Sequence, residues 1–374
     1  MLTNIIKTSL VLLLLTLVTC VEPFKPDFEA YEKALVAEGI ITDEEGPYRV
    51  NLSETAANYH PRFRPISEAI VVIEDDLGNS ATLTEKNPGE YYTNANFRAF
   101  SGRKYQLKIE LENGEKYASD FSELKEKLPI DSLYAKLETT EDPVNGAIIP
   151  GYRFYADINT EPNTETYLAW RGTETYEYIS SFTIDYIYDG EIKPFDEPYI
   201  YYRCWKTQSV HKTTLLESPV ELSQTNISVP LNHTHLSKFN IKYSLLLKQY
   251  VIEKETHDYL KKINDLNESQ GTFYDTQPFR VYGNIKNIND PDEYVAGYFY
   301  AAAKTEKRIF ISDDSYNIER CQPDYRGFAF IGMASPATYP IYITSFGGRR
   351  AVAPKACFDC RLKGGHTEKP DFWE

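Results

Sequence analysis

The sequence predicts a mainly β protein: an N-terminal β-sandwich of Ig-like or transthyretin-like type, then a larger β-rich domain with one inserted helix. Three observations predict it. Short strand-like runs recur at roughly 8–12-residue spacing, separated by turn residues. Tyrosine, a strand former, is in excess, with 30 residues against 3 Trp and 2 Met. One segment alone, from Lys254, changes to a helical period.

The elements follow in order. Ala34 to Thr42, ALVAEGIIT, is β-rich, and Pro47 to Thr55, PYRVNLSET, alternates. AIVVIEDDLGNSATLTE reads as two strands joined at Asp76-Leu77-Gly78-Asn79. KYQLKIELENGEKYASDF is a hairpin, with Asn113-Gly114 expected as a type I′ turn. This first domain, residues 34–128, closes near Lys127-Leu128-Pro129. The second, residues 129–374, opens with IDSLYAKLE and continues through GYRFYADINT, TYLAWRGTETYEYISSF and PYIYYRCWKT. In YSLLLKQYVI the run Leu245-Leu246-Leu247 is too continuous for a one-sided strand, so both faces should be covered. A helix near 254–270 follows, with His257, Leu260, Ile263 and Leu266 on one side and Gly271 as its stop. Leu260, Ile263 and Leu266 are expected to cover the strand. FRVYGNIKNIND and EYVAGYFYAAAKTEKRIFI return to strands. No repeat of 20–50 residues is visible.

The N-terminus carries an apolar run from Leu10 to Thr19 behind a lone Lys7. It is too short for a spanning helix and has the length of a signal-peptide core. The core ends at Leu17-Val18-Thr19-Cys20, which looks like a bacterial lipobox. Residues 1–19 then form the signal, Cys20 becomes the acylated first mature residue, and 20–33 a tether. Two or more acyl chains give a stable anchor without a span. The expectation is an outer-membrane lipoprotein, facing the periplasm or the cell surface.

Net charge is −15, and removal of Lys7 with the signal makes it −16. Nucleic-acid binding needs a basic surface, so nucleic acid is excluded as a partner. The same charge disfavours docking on anionic head groups beyond the anchor itself. Four cysteines remain after Cys20: Cys204, Cys321, Cys357 and Cys360. An even count in an exported chain indicates disulfides, with three connectivities open. Cys357-Phe358-Asp359-Cys360 is also a C-x-x-C, which leaves redox and zinc chemistry as alternatives. The redox reading lacks a helix after the motif, and the zinc reading lacks a second pair.

No enzyme signature is present, and no catalytic residue, metal site or cofactor is assigned. The G-x-S-x-G, phosphate-loop and H-E-x-x-H patterns are absent. His233-Thr234-His235 puts two imidazoles on one strand face, yet no carboxylate follows at ligand spacing, so both are expected as surface histidines. Asp75-Asp76 and Asp313-Asp314 are expected as turn acids bonding their own backbone.

Several stretches together resemble a Bacteroidota outer-membrane lipoprotein family, domain of unknown function 4249. They are the lipobox with Glu22-Pro23, VAEGIITD with Gly46-Pro47-Tyr48, Gly102-x-x-Tyr105-x-Leu107 and PIDS at 129–132. Cys204-Trp205, YSLLLKQY at 243–250, QGTFYDTQPFRVYGNI and the ending CFDCRLKGGHTEKPDFW complete the set. The resemblance implies an all-β fold with a helical insertion and an accessory role beside a TonB-dependent outer-membrane transporter. It brings no catalytic residues. The expected function is therefore an accessory or cargo-binding subunit of such a transporter. An envelope structural or assembly lipoprotein is the alternative, and a surface hydrolase a more remote one.

Overall fold

The computed structural model describes residues 33–55, 64–141, 146–160, 164–210, 213–218, 226–269, 280–315 and 320–374. Cys20, the expected signal at 1–19 and all but Lys33 of the expected tether at 20–33 lie outside these residues, as does Gly271. The described chain is mainly β, in four sheets, with a few short helical segments.

A ten-stranded sheet forms the spine. Its main strands are β1 (Leu35–Thr42), β2 (Arg49–Glu54), β3 (Thr166–Ile179), β4 (Arg203–Ser209), β5 (Lys242–Ile252) and β6 (Ala296–Ile311). They lie in the order β4-β3-β5-β6-β1-β2, followed by Glu90–Tyr92 and Thr84–Asn87. The β6–β1 joint is parallel, pairing Val36 with Ala296 through Thr42 with Ala302. At this joint Gly297 has φ +94°, and a Cβ there would collide with the Ala37 carbonyl.

Alternation along these strands sends residues to two different cores. Phe299, Ala301 and Ala303 of β6 join Ala37, Ile41, Val50 and Leu52 in one core. Tyr300 and Ala302 join Tyr167, Ala169, Tyr250 and Ile252 on the opposite face. A six-stranded sheet built on Lys104–Glu110, Lys116–Ser119 and Ile70–Asp75 closes the first core as a sandwich. Its edge strand Ile285–Asn287 comes from far along the chain. The spine sheet and this core therefore run across the boundary expected at 128/129, and Ile285, Val295 and Phe299 sit among residues 35–124.

A three-stranded sheet, Ser132–Glu141, Ile148–Asn159 and Asn226–His235, covers β3 and β5. Phe154, Phe239 and Tyr243 pack there with Leu168, Trp170, Leu245 and Leu247. The buried Trp170 indole donates to Gln249 Oε1 at 2.9 Å. The remaining sheet is small, with strands Ile192–Pro194, Tyr186–Tyr188, Ile341–Phe346 and Arg349–Val352.

Helix α1 (Lys254–Ser269) follows β5 directly, as its sequence period indicates. Leu245 and Leu247 face the three-stranded sheet while Tyr250 and Ile252 face the helix side, so the strand is buried from both faces. The residues sunk deepest on the helix are Thr256 and His257, at 1% and 4% exposure. Leu260, Ile263 and Leu266, expected to form the contact, are half-buried. Burial on the helix is deepest in its first turn, and farther along Asn264 Nδ2 donates to the Thr213 carbonyl at 2.8 Å. No helix among the described residues is long and apolar enough to cross a membrane.

The Asn113-Gly114 hairpin forms with a different turn from the expected type I′. That turn needs positive φ at both central residues, and here Gly114 alone has it, at +87°. Gly114 N–H donates to Leu111 O at 2.9 Å, the pattern of a wider loop with glycine at the left-handed position. Asn113 keeps negative φ because its side chain accepts the Glu115 N–H at 3.0 Å.

Candidate functional site

The cysteines are placed first. Cys204 pairs with Cys360 and Cys321 with Cys357, at Cα separations of 5.8 and 6.0 Å. Both members of the C-x-x-C thus bond distant partners rather than each other. One bridge ties the tail to β4, where Trp205 and His366 also exchange backbone hydrogen bonds at 2.9 Å. The other closes the small sheet over Phe182, Ile184 and Phe358.

The paired histidines go separate ways. His233 Nε2 lies 3.3 Å from the Glu138 carbonyl. His235 Nδ1 accepts the Ser237 N–H at 3.1 Å and so caps a short 3-10 turn. Among the described residues no three His, Cys, Asp or Glu side chains converge as a metal site would require. Asp75 Oδ1 accepts the N–H groups of Leu77 and Asn79, and Asp313 Oδ1 that of Ser315, as turn acids do.

The convergence of chemistry lies elsewhere, between α1 and the spine sheet. The gap is a cleft of ≈ 550 Å³, within the range of small-molecule sites. Strand register builds its floor. Glu38 pairs with Tyr298 on one side and Asn51 on the other, so these three form a cross-strand row. Ile40 pairs with Tyr300 in the next row, with Arg49 of β2 and Arg171 of β3 flanking it in the lining. Tyr259, Ile263, Asn264 and Asn267 of α1 form the wall. Their spacing of three and four residues puts them on one helical face.

The aromatic groups are held by each other. Tyr259 stacks on Tyr298 with centroids 4.4 Å apart and an interplanar angle of 27°. Arg171 Nη2 donates to Tyr300 OH at 3.1 Å, and its guanidinium lies 5.8 Å from the Tyr250 ring. Burial pushes the phenols of Tyr259 and Tyr298 up to about 12, and raises Tyr300 as well. Their hydroxyls therefore stay protonated near neutrality and act as donors. Arg49 is partly neutralised by Glu90 at 3.2 Å.

This arrangement offers flat ring faces, hydroxyl donors, side-chain amides and one carboxylate. The lining contains no histidine, serine or cysteine; besides the phenols it holds the Thr213 hydroxyl and the Glu38 carboxylate. Another cleft, of ≈ 520 Å³, is lined largely by Trp170, Leu231, Leu247 and other apolar groups and brings fewer polar groups together. The sequence reading gave no cleft residue a binding role; Leu260 and Ile263 are expected there only as packing positions of the helix. The cleft's signal was present only as the tyrosine excess and the alternate Tyr298 and Tyr300 in EYVAGYFYAA.

Fold and cleft together define a multi-sheet β protein with an aromatic-lined cleft. The chain belongs to the family described as Domain of unknown function (DUF4249), which matches residues 21–308. Every residue of the cleft falls within that span. No curated protein matches the chain.

Proposed function

We propose that this protein is a lipid-anchored accessory of an outer-membrane transporter and that it holds cargo in the cleft between α1 and the spine sheet. The observation that carries the reading is the cleft's composition. Tyrosine faces beside amides and guanidinium groups suit a polar, ring-bearing molecule, by stacking and by directed hydrogen bonds. The apolar run ending at Cys20 supports the anchor. Anchoring protein and transporter in one membrane raises their effective concentration, so a modest interface suffices.

Affinity purification of the acylated protein from solubilised envelopes tests the reading. Co-purification of a TonB-dependent transporter is expected, with a bound small molecule lost on Tyr259→Ala. Cys20→Ala should abolish acyl labelling and release the chain from membranes. Recovery of envelope assembly factors in place of a transporter would favour a structural role instead.

A further inference from the structure

The cargo cleft has a neighbour. The second cleft, of ≈ 520 Å³, includes Trp170, Gly172, Val210, Leu215, Leu231 and Leu247 in its lining. Thr213 and Asn264 line both clefts. Asn264 Nδ2 donates to the Thr213 carbonyl at 2.8 Å. One side chain of α1 and one stretch of backbone therefore form a shared wall.

Strand β3 explains why the clefts meet. Successive residues of a strand face opposite sides of its sheet. Arg171 lines the cargo cleft, while its neighbours Trp170 and Gly172 line the second. The two clefts thus lie on opposite faces of β3. The outer edge of β3 pairs with β4 from Thr173 to Ile179 and with the strand Thr214–Ser218 from Thr166 to Trp170. Arg171 and Gly172 fall between these two pairings. Thr213 directly precedes the second of the pairing strands, so the clefts come together around that edge. Their chemistry differs. The first presents tyrosine rings, amides, Glu38 and Arg171. The second presents an indole and aliphatic groups, and among the described residues no Asp or Glu lines it. Its basic side chains are engaged: Arg153 pairs with Glu138 at 3.0 Å, and His233 Nε2 lies 3.3 Å from the Glu138 carbonyl.

We infer that the cargo is an amphiphile, with a polar, ring-bearing head beside α1 and an apolar chain that reaches past Thr213 and Asn264 into the second cleft. The inference rests on the cargo reading of the first cleft and adds the class of molecule. Burial of the chain supplies affinity without direction, while tyrosines and amides orient the head. A wholly polar molecule would leave the Trp170 and Leu247 side wet. A wholly apolar one would strip water from Arg171 and Glu38 and return no hydrogen bond.

Alkyl esters of para-hydroxybenzoate, from methyl to octyl, test this by calorimetry on the full chain. Affinity should rise about fourfold for each methylene that enters the second cleft. Tyr259→Ala should weaken every ester. Val210→Trp, which fills the second cleft, should flatten the dependence on chain length. The native protein gives another reading that needs no variant. Trp170 lines the second cleft, and Trp205 and Trp373 do not. An octyl ester brominated at its chain end should therefore quench tryptophan emission, and the methyl ester should not. Equal affinity for methyl and octyl esters, both weakened by Tyr259→Ala, would overturn this inference and leave the cargo cleft standing. A chain-length dependence without quenching would place the chain elsewhere and overturn it too. Binding that Tyr259→Ala leaves untouched would overturn the cargo reading and this inference with it. Absence of binding by every ester, the octyl included, would overturn the amphiphile class.

Discussion

Glu253 shows how one residue couples two elements. It ends β5's turn into α1, yet its carboxylate reaches away from the helix. It accepts Ser122 Oγ–H and the Glu123 N–H, both at 3.0 Å. Burial raises its pKa above the ordinary carboxylate value, while these two hydrogen bonds oppose the rise. The native state therefore holds this proton to higher pH than the unfolded chain does. Between the ordinary glutamate value, about 4.3, and the raised one, unfolding releases a proton, so this group's contribution falls as pH rises through that window. Glu253→Gln removes the charge but keeps an acceptor oxygen. The variant should melt above wild type near neutral pH, and the gap should close as pH falls below the ordinary value. A gap independent of pH in thermal melts would show that burial does not govern this group.

Helix α1 carries the element-scale argument, because it is both cover and wall. Its first turns are anchored by the buried Thr256 and by His257, whose ring lies 5.4 Å from that of Tyr167. Leu260 then packs against the cluster of Tyr167, Ala169, Tyr250, Ile252, Tyr300 and Ala302. Beyond it the cleft opens. Leu260→Ala should cost about 2 kcal/mol, the low end for such truncations, because the side chain is half-buried. Denaturant titration measures this. An unchanged midpoint would mean that the helix rests on Thr256 and His257 alone. The period of ETHDYLKKINDL disclosed the helix and put His257 and Leu260 on its packed side, where both are found. The buried Thr256 was not legible in that period, and Ile263 and Leu266 are covered only in part.

At the scale of the whole molecule, sheet continuity replaces domain independence. Residues 34–128 lack β6, the parallel partner of β1, and lack the edge strand Ile285–Asn287. They also lack Ile285, Val295, Phe299, Ala301 and Ala303 from their core. Expressed alone, this segment should remain unfolded or aggregate through its open strand edge. A dispersed amide spectrum from the isolated segment would disprove the dependence. The two disulfides act over the same distances, joining positions 156 and 36 residues apart. Non-reducing peptide mapping should recover Cys204–Cys360 and Cys321–Cys357. A Cys357–Cys360 peptide in freshly prepared protein would contradict this pairing. Each bridge should contribute about 2–4 kcal/mol, so reduction should lower the melting temperature.

The sequence by itself determined the local matters: which runs become strands, where α1 begins, which acids serve turns, and that the four distal cysteines form an even set. These depend on side-chain period, turn chemistry and count, all of which are written within a few residues of one another. Only the tertiary structure decided which strands are neighbours. The β1–β6 pairing links residues 260 positions apart, and strand propensity does not encode a partner. The cysteine pairing, the crossing of the 128/129 boundary and the cleft share that cause. Glu38, Tyr298 and Asn51 stand in one row because of register, and register is settled by the cores on both faces of the spine sheet.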